Sequence, residues 1–164
     1  MSLKDEIEKL INAEQSKFRD RDRKHAAHHE RMRERFASLR VILEEITVSV
    51  DSKYLGSRFH DDSALFELGR IEGSSRSTDT RWKIEANYGI RSDADVAEGI
   101  YSDEPGFKVE ETEYYNYPKY GLSQSTRVFE NDRTLSEYLI RKIAEKVAHY
   151  RYLESLSAKQ KEEK

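Results

Sequence analysis

Three histidines fall within five residues, as His25-Ala-Ala-His28-His29. Positions three and four apart share a helical face, so His25 and His29, with Asp22 one turn earlier, would offer two imidazoles and a carboxylate to one metal ion. Such a set would serve a structural metal site or, through a bound water, a hydrolytic one. Arginines and lysines crowd the same stretch and would repel a cation, so the plainer reading is a polar run on a solvated helix. If the imidazoles faced each other across a dimer, they would repel below a pH of about 6.5.

A second cluster, His60-Asp61-Asp62-Ser63, has catalytic residue types. Neighbours along a strand point to alternate faces and cannot form a base held by a carboxylate, whereas in a turn the same residues bond to nearby backbone. No Ser-His-Asp order and no paired-carboxylate spacing stands out. Gly69-Arg-Ile-Glu-Gly73 lacks the lysine and the serine or threonine of a phosphate loop. The sequence therefore leans away from an enzyme, and no cofactor is expected.

Tyr114, Tyr115, Tyr117 and Tyr120 gather around Pro118. On a strand, Tyr115 and Tyr117 share a face with Phe107 and Val109 while Tyr114 points the other way. Tyrosine can stack on bases or bury area against a protein. The acidic neighbours Glu110, Glu111 and Glu113 favour a protein partner, and covering the rim of the core is an equally economical use.

Charge is segregated. Residues 17–40 hold nine basic and four acidic side chains, and residues 91–113 hold eight acidic and two basic. The arginines at 19, 21, 23, 31, 33 and 35 recur every second residue, which spreads them around a helix, and the pattern does not favour nucleic acid. The two segments can attract each other or a second copy.

The elements that must position these groups follow from periodicity. No glycine or proline interrupts the first 53 residues, and residues 3–46 read as one helix of roughly 65 Å. Ile11, Phe18, His25, Met32, Leu39 and Ile46 are seven apart, and Gln15, Asp22, His29, Phe36 and Leu43 form a second line, as in a coiled-coil seam. Alternation then points to strands at 47–51, 64–71, 81–91, 107–117 and 125–130, with a polar loop at 73–79, a turn at 118–121 and an irregular acidic stretch at 92–106. Thr134-Leu-Ser-Glu137 fits a capping box, and Leu135, Leu139, Ile143, Val147, Tyr150 and Leu153 form a helical stripe behind it.

The expected fold is α+β: a long N-terminal helix, an antiparallel β-sheet of four to five strands, and a C-terminal helix packed on the sheet. The divisions are residues 1–46 (a coiled-coil dimerisation helix), 47–157 (the α+β domain) and 158–164 (a frayed charged tail). The expected core comprises Phe66, Leu68, Trp82, Ile84, Tyr88, Ile90, Val109, Val128, Leu139, Ile143 and Val147. A homodimer is expected through Ile11, Phe18, Met32, Phe36, Leu39 and Leu43, because so long a helix outruns one domain. With no cysteine, no apolar run of membrane length and a charged start lacking a secretory leader, the expected setting is the cytoplasm, away from membrane. Function is read as a non-catalytic protein-interaction or assembly role with an unknown protein partner. The alternatives are a metal-binding protein or hydrolase using the histidine pair, and nucleic-acid binding through the basic helix.

Overall fold

The computed structural model describes residues 2–87, 92–101, 104–115 and 119–162. The expectations for Tyr88 and Ile90 as core residues, and for Tyr117, fall outside them. Helix α1 runs Leu3–Ser49, 47 residues or about 70 Å. Its start is fixed by a capping box in which Asp5 N donates to Ser2 Oγ and Ser2 N donates back to Asp5 Oδ2, both at 3.3 Å. The helix continues through residues 47–49, where a strand was expected. Leu43, Ile46 and Val50 are spaced for a helical face over the core, and Thr47 and Ser49 donate to the carbonyls of Leu43 and Glu45. Burial therefore overrides the preference of β-branched residues for strands.

A five-stranded antiparallel meander follows: β1 (Leu55–Phe59), β2 (Ser63–Glu72), β3 (Ser75–Ala86), β4 (Phe107–Tyr115) and β5 (Gly121–Phe129), lying side by side in chain order. β3 begins inside the expected loop 73–79, because Gly73 at φ +67° closes a turn of only two residues. The β2/β3 ladder carries a bulge. Leu68 faces Thr80 and Gly69 faces Thr78, which leaves Asp79 as the extra residue. Position 69 accepts only glycine, since a Cβ there would come within 2.0 Å of the Ser77 carbonyl oxygen.

One face of the sheet supplies Leu55, Ala64, Phe66, Leu68, Trp82, Ile84, Phe107 and Val109 to a single core. α1 covers it with Phe36, Leu39, Leu43 and Ile46, and α3 (Asp132–Glu162) with Leu135, Leu139, Ile143, Val147 and Tyr150. This is the expected α+β arrangement. Val128 departs from the expected core: it lies on the opposite face and is exposed. The stretch 92–106, read as irregular, contains the short helix α2 (Asp93–Ala97), started by Ser92 Oγ accepting from Asp95 N. α3 begins two residues ahead of the expected cap, because Asn131 Oδ1 takes the Thr134 N–H at 2.9 Å. It also extends to Glu162, through most of the stretch expected to fray. Among the described residues, no helix is long and apolar enough to cross a membrane.

Candidate functional site

The apolar seam of α1 changes surroundings part-way along. Met32, Phe36, Leu39 and Leu43 are fully buried within their own chain, the last three against the sheet and α3. They are therefore not free to meet a second copy, which corrects that part of the expected dimer interface. Ile11 and Phe18 are exposed, as are Leu3, Ile7 and Leu10. Residues 2–20 are exposed throughout, so the first five turns of α1 project from the domain as an arm. Lys17–Glu14 and Lys24–Asp20 ion pairs at 3.1 and 3.3 Å support the arm and its base, and Arg21 lies over the Phe18 ring.

The histidines are used differently from the expected His25/His29 pair. His28 is buried with its ring stacked on Tyr101, centroids 3.8 Å apart, and His25 meets the Tyr101 hydroxyl through Nδ1. The i,i+3 pair thus clasps a tyrosine from the acidic segment. Arg21 donates to the Ala97 carbonyl that ends α2, and Arg35 donates to the carbonyls of Asn87, Glu104 and Gly106. Gly99, at φ +72°, lets the chain pass so close to α1 that a Cβ there would lie 3.2 Å from Lys24 Cβ. The basic stretch of α1 thus receives the acidic segment of its own chain, largely through arginine–carbonyl bonds.

His29 and Asp22 are exposed. His29 shares an open cleft of about 480 Å³ with Arg33, Phe59, His60, Asp61 and Asp62, so the fold joins two sequence clusters that are thirty residues apart. Among the described residues, no three His, Asp or Glu side chains converge closely enough to hold a metal ion. A second, apolar hollow of about 410 Å³ lies between α1 and α3 and is lined by Ile42, Ile46, Val50, Ile140, Ile143 and Val147.

Of the tyrosines, Tyr114 lies on the solvent face beside Arg81, and with Asp79 and the exposed Tyr120 it lines a polar hollow. Tyr115 is on the core face but beyond the helices, its ring lying over Gly121. Tyr117 lies outside the described residues.

Three tyrosine–carboxylate bonds tie α3 to the rest of the fold. The periodic pattern gave no sign of them, because each joins residues 27 to 100 positions apart. Glu111, buried on β4, accepts from Trp82 Nε1 at 2.8 Å and from the Tyr138 hydroxyl at 2.6 Å. Tyr150 donates to Asp79, the residue that the β3 bulge turns toward α3, and Tyr54 donates to Glu154 at 2.7 Å. Burial first, and the adjoining carboxylate second, push the Tyr138 and Tyr150 phenols well above the ordinary tyrosine value. These phenols act as fixed hydrogen-bond donors, and their chemistry is that of a docking seam. Comparison with protein-family models, curated proteins and solved structures finds no match for this chain.

Proposed function

We propose that this chain is a non-catalytic assembly protein of the cytoplasm that associates with itself through the projecting arm of α1. The observation that carries the reading is the exposed stripe Leu3, Ile7, Leu10, Ile11 and Phe18. Ile11 and Phe18 lie in the same heptad line as Met32 and Leu39, which are buried, so one seam, polar in its middle at Asp22, His25 and His29, is covered at its second apolar end and bare at its first. A lone exposed helix of about twenty residues gains nothing from tertiary packing, and a partner arm would supply what is missing.

Charge supports an antiparallel pair of arms. Residues 3–14 carry Asp5, Glu6, Glu8 and Glu14 against Lys4 and Lys9, whereas residues 15–24 carry Lys17, Arg19, Arg21, Arg23 and Lys24 against Asp20 and Asp22. Side by side in opposite directions, each acidic half lies along a basic half. The metal and nucleic-acid readings have less behind them. The histidines at 25 and 28 are engaged by Tyr101, and Arg21, Arg33 and Arg35 already have partners within the chain.

The test is the solution mass of the chain and of the Ile11→Asp/Phe18→Asp variant, by light scattering behind a sizing column. The wild type is expected to exceed its 19.3 kDa chain mass and to lose mass as salt is raised. The variant should lose arm-mediated mass with an unchanged circular-dichroism spectrum. An identical mass for both proteins would overturn the reading.

A further inference from the structure

β5 forms one edge of the sheet, and its sequence, Gly121-Leu-Ser-Gln-Ser-Thr-Arg-Val-Phe129, carries none of the usual guards. It has no proline, its ladder with β4 has no bulge, and Arg127 is its one charged residue. Residues 122–128 are exposed, and α3 meets the strand only near its end, where Arg127 lies over the Tyr138 ring and Phe129 packs against it. Among the described residues, no backbone group of β5 bonds to backbone outside the sheet. On the solvent face it presents Leu122 and Val128, 50% and 58% exposed, at its two ends.

We infer that β5 is a second self-association surface, on which two copies pair antiparallel about Ser125 to make one ten-stranded sheet. The register follows from the side chains. Centring the twofold axis on Ser125 sets Gly121 against Phe129, Leu122 against Val128, Ser123 against Arg127 and Gln124 against Thr126, so all nine residues are used. Shifting the centre one residue either way places Leu122 opposite Thr126 or Glu130 and loses the apolar match. The Ser125 register also keeps the helix-covered faces of both copies on one side.

The neighbouring strand completes the fit. Leu122 lies beside Tyr114 in the β4 ladder, so Val128 of one copy would join Leu122 and Tyr114 of the other. Gly121 lies beside Tyr115, so Phe129 of one copy would pack by that ring in the other. Ser123 lies beside Glu113, so Arg127 of one copy, passing over the small Ser123 of the other, would reach that copy's Glu113. The interface thus covers the half-buried Tyr114 and the exposed Tyr115, and it gives Arg127, which lies over the Tyr138 ring of its own chain, a carboxylate partner in the other copy. It shares no residue with the arm.

The chain has no cysteine, so one introduced thiol is unique. Residues facing each other in an antiparallel pair have Cα atoms about 4.5–5.5 Å apart, within disulfide range. Ser125→Cys in the full chain should form a covalent dimer under mild oxidation, about tenfold faster than Ser123→Cys. Ser123→Cys and Arg127→Cys should cross-link when mixed and much less when separate. The Ser125→Cys link should persist in the Ile11→Asp/Phe18→Asp arm variant. It should vanish with Val128→Asp, whose exposed position leaves the circular-dichroism spectrum unchanged. Equal rates for Ser125→Cys and Ser123→Cys, no mixed cross-link, or loss of the link in the arm variant would each overturn the inference.

Discussion

At the scale of single residues, the fold is held by polar groups placed where packing alone would not choose between arrangements. Glu111 sits among apolar neighbours, yet its carboxylate takes both the Trp82 indole and the Tyr138 hydroxyl, which fixes α3 against β3 and β4 at one point. Tyr150 and the bulge residue Asp79 fix it at another. The sign of the pH effect follows from the raised phenols. The stability they contribute is whole below about pH 10, where the unfolded tyrosines are neutral, and falls as the pH rises from there toward the higher values in the fold. Tyr150→Phe should therefore cost about 1 kcal/mol at pH 7, where Asp79 loses its donor, and should flatten the alkaline decline. Urea midpoints from pH 7 to 11 would check this; an unchanged alkaline slope would count against it. Little at this scale was legible beforehand. Leu135, Leu139 and Ile143 announced a helical stripe, but Asn131 outcompeted Thr134 as the cap, and no spacing rule links Glu111 to Tyr138.

At the scale of elements, α1 shows what periodicity reveals and what it conceals. The heptad pattern marked a long helix with one apolar face, and that face is there. It could not mark where the covering changes, because Phe18 and Met32 obey the same spacing whether their neighbour is the sheet or a second chain. The strands were legible where polar and apolar residues alternate, as in Arg81 to Ala86. β1 was missed because its five residues, Leu-Gly-Ser-Arg-Phe, offer only Leu55 and Phe59 to the core and look like loop. The division of α1 separates two substitutions of equal chemistry. Leu39→Asp puts a charge into a fully buried site and should lower stability by more than about 3 kcal/mol, enough to threaten the fold. In the dissociated chain, at high dilution, Ile11→Asp should change it by less than about 0.5 kcal/mol, as usual at an exposed position. Chemical denaturation of both variants at high dilution would check the contrast, and equal losses would mean that the arm packs within its own chain.

At the scale of the whole molecule, the segregated charge was legible in the sequence while its use was not. The acidic segment lies against the basic half of the chain's own α1 and is gripped through carbonyls by Arg21 and Arg35, an option composition alone could not separate from attraction to a second copy. The length of α1 has a mechanical side too. The helix has no glycine or proline from Leu3 to Ser49, so the arm and the core-bound half form one rigid rod. From Arg21, where the domain takes hold, to Leu3 is roughly 27 Å, and a tilt of about 5° at the core would swing the tip by about 2 Å. Small changes in packing would thus be magnified into the bearing of the arm. Leu43→Ala, which opens a void under the rod, should shift the distance between spin labels at Glu8 and Lys83, whereas Val41→Ala on the exposed side should leave it unchanged. Equal distances in the two variants would show a rod that does not answer to the core. If the distance does shift, the arm is a pointer whose aim is set by the hydrophobic contacts at its base, and any assembly built on it inherits its angles from them.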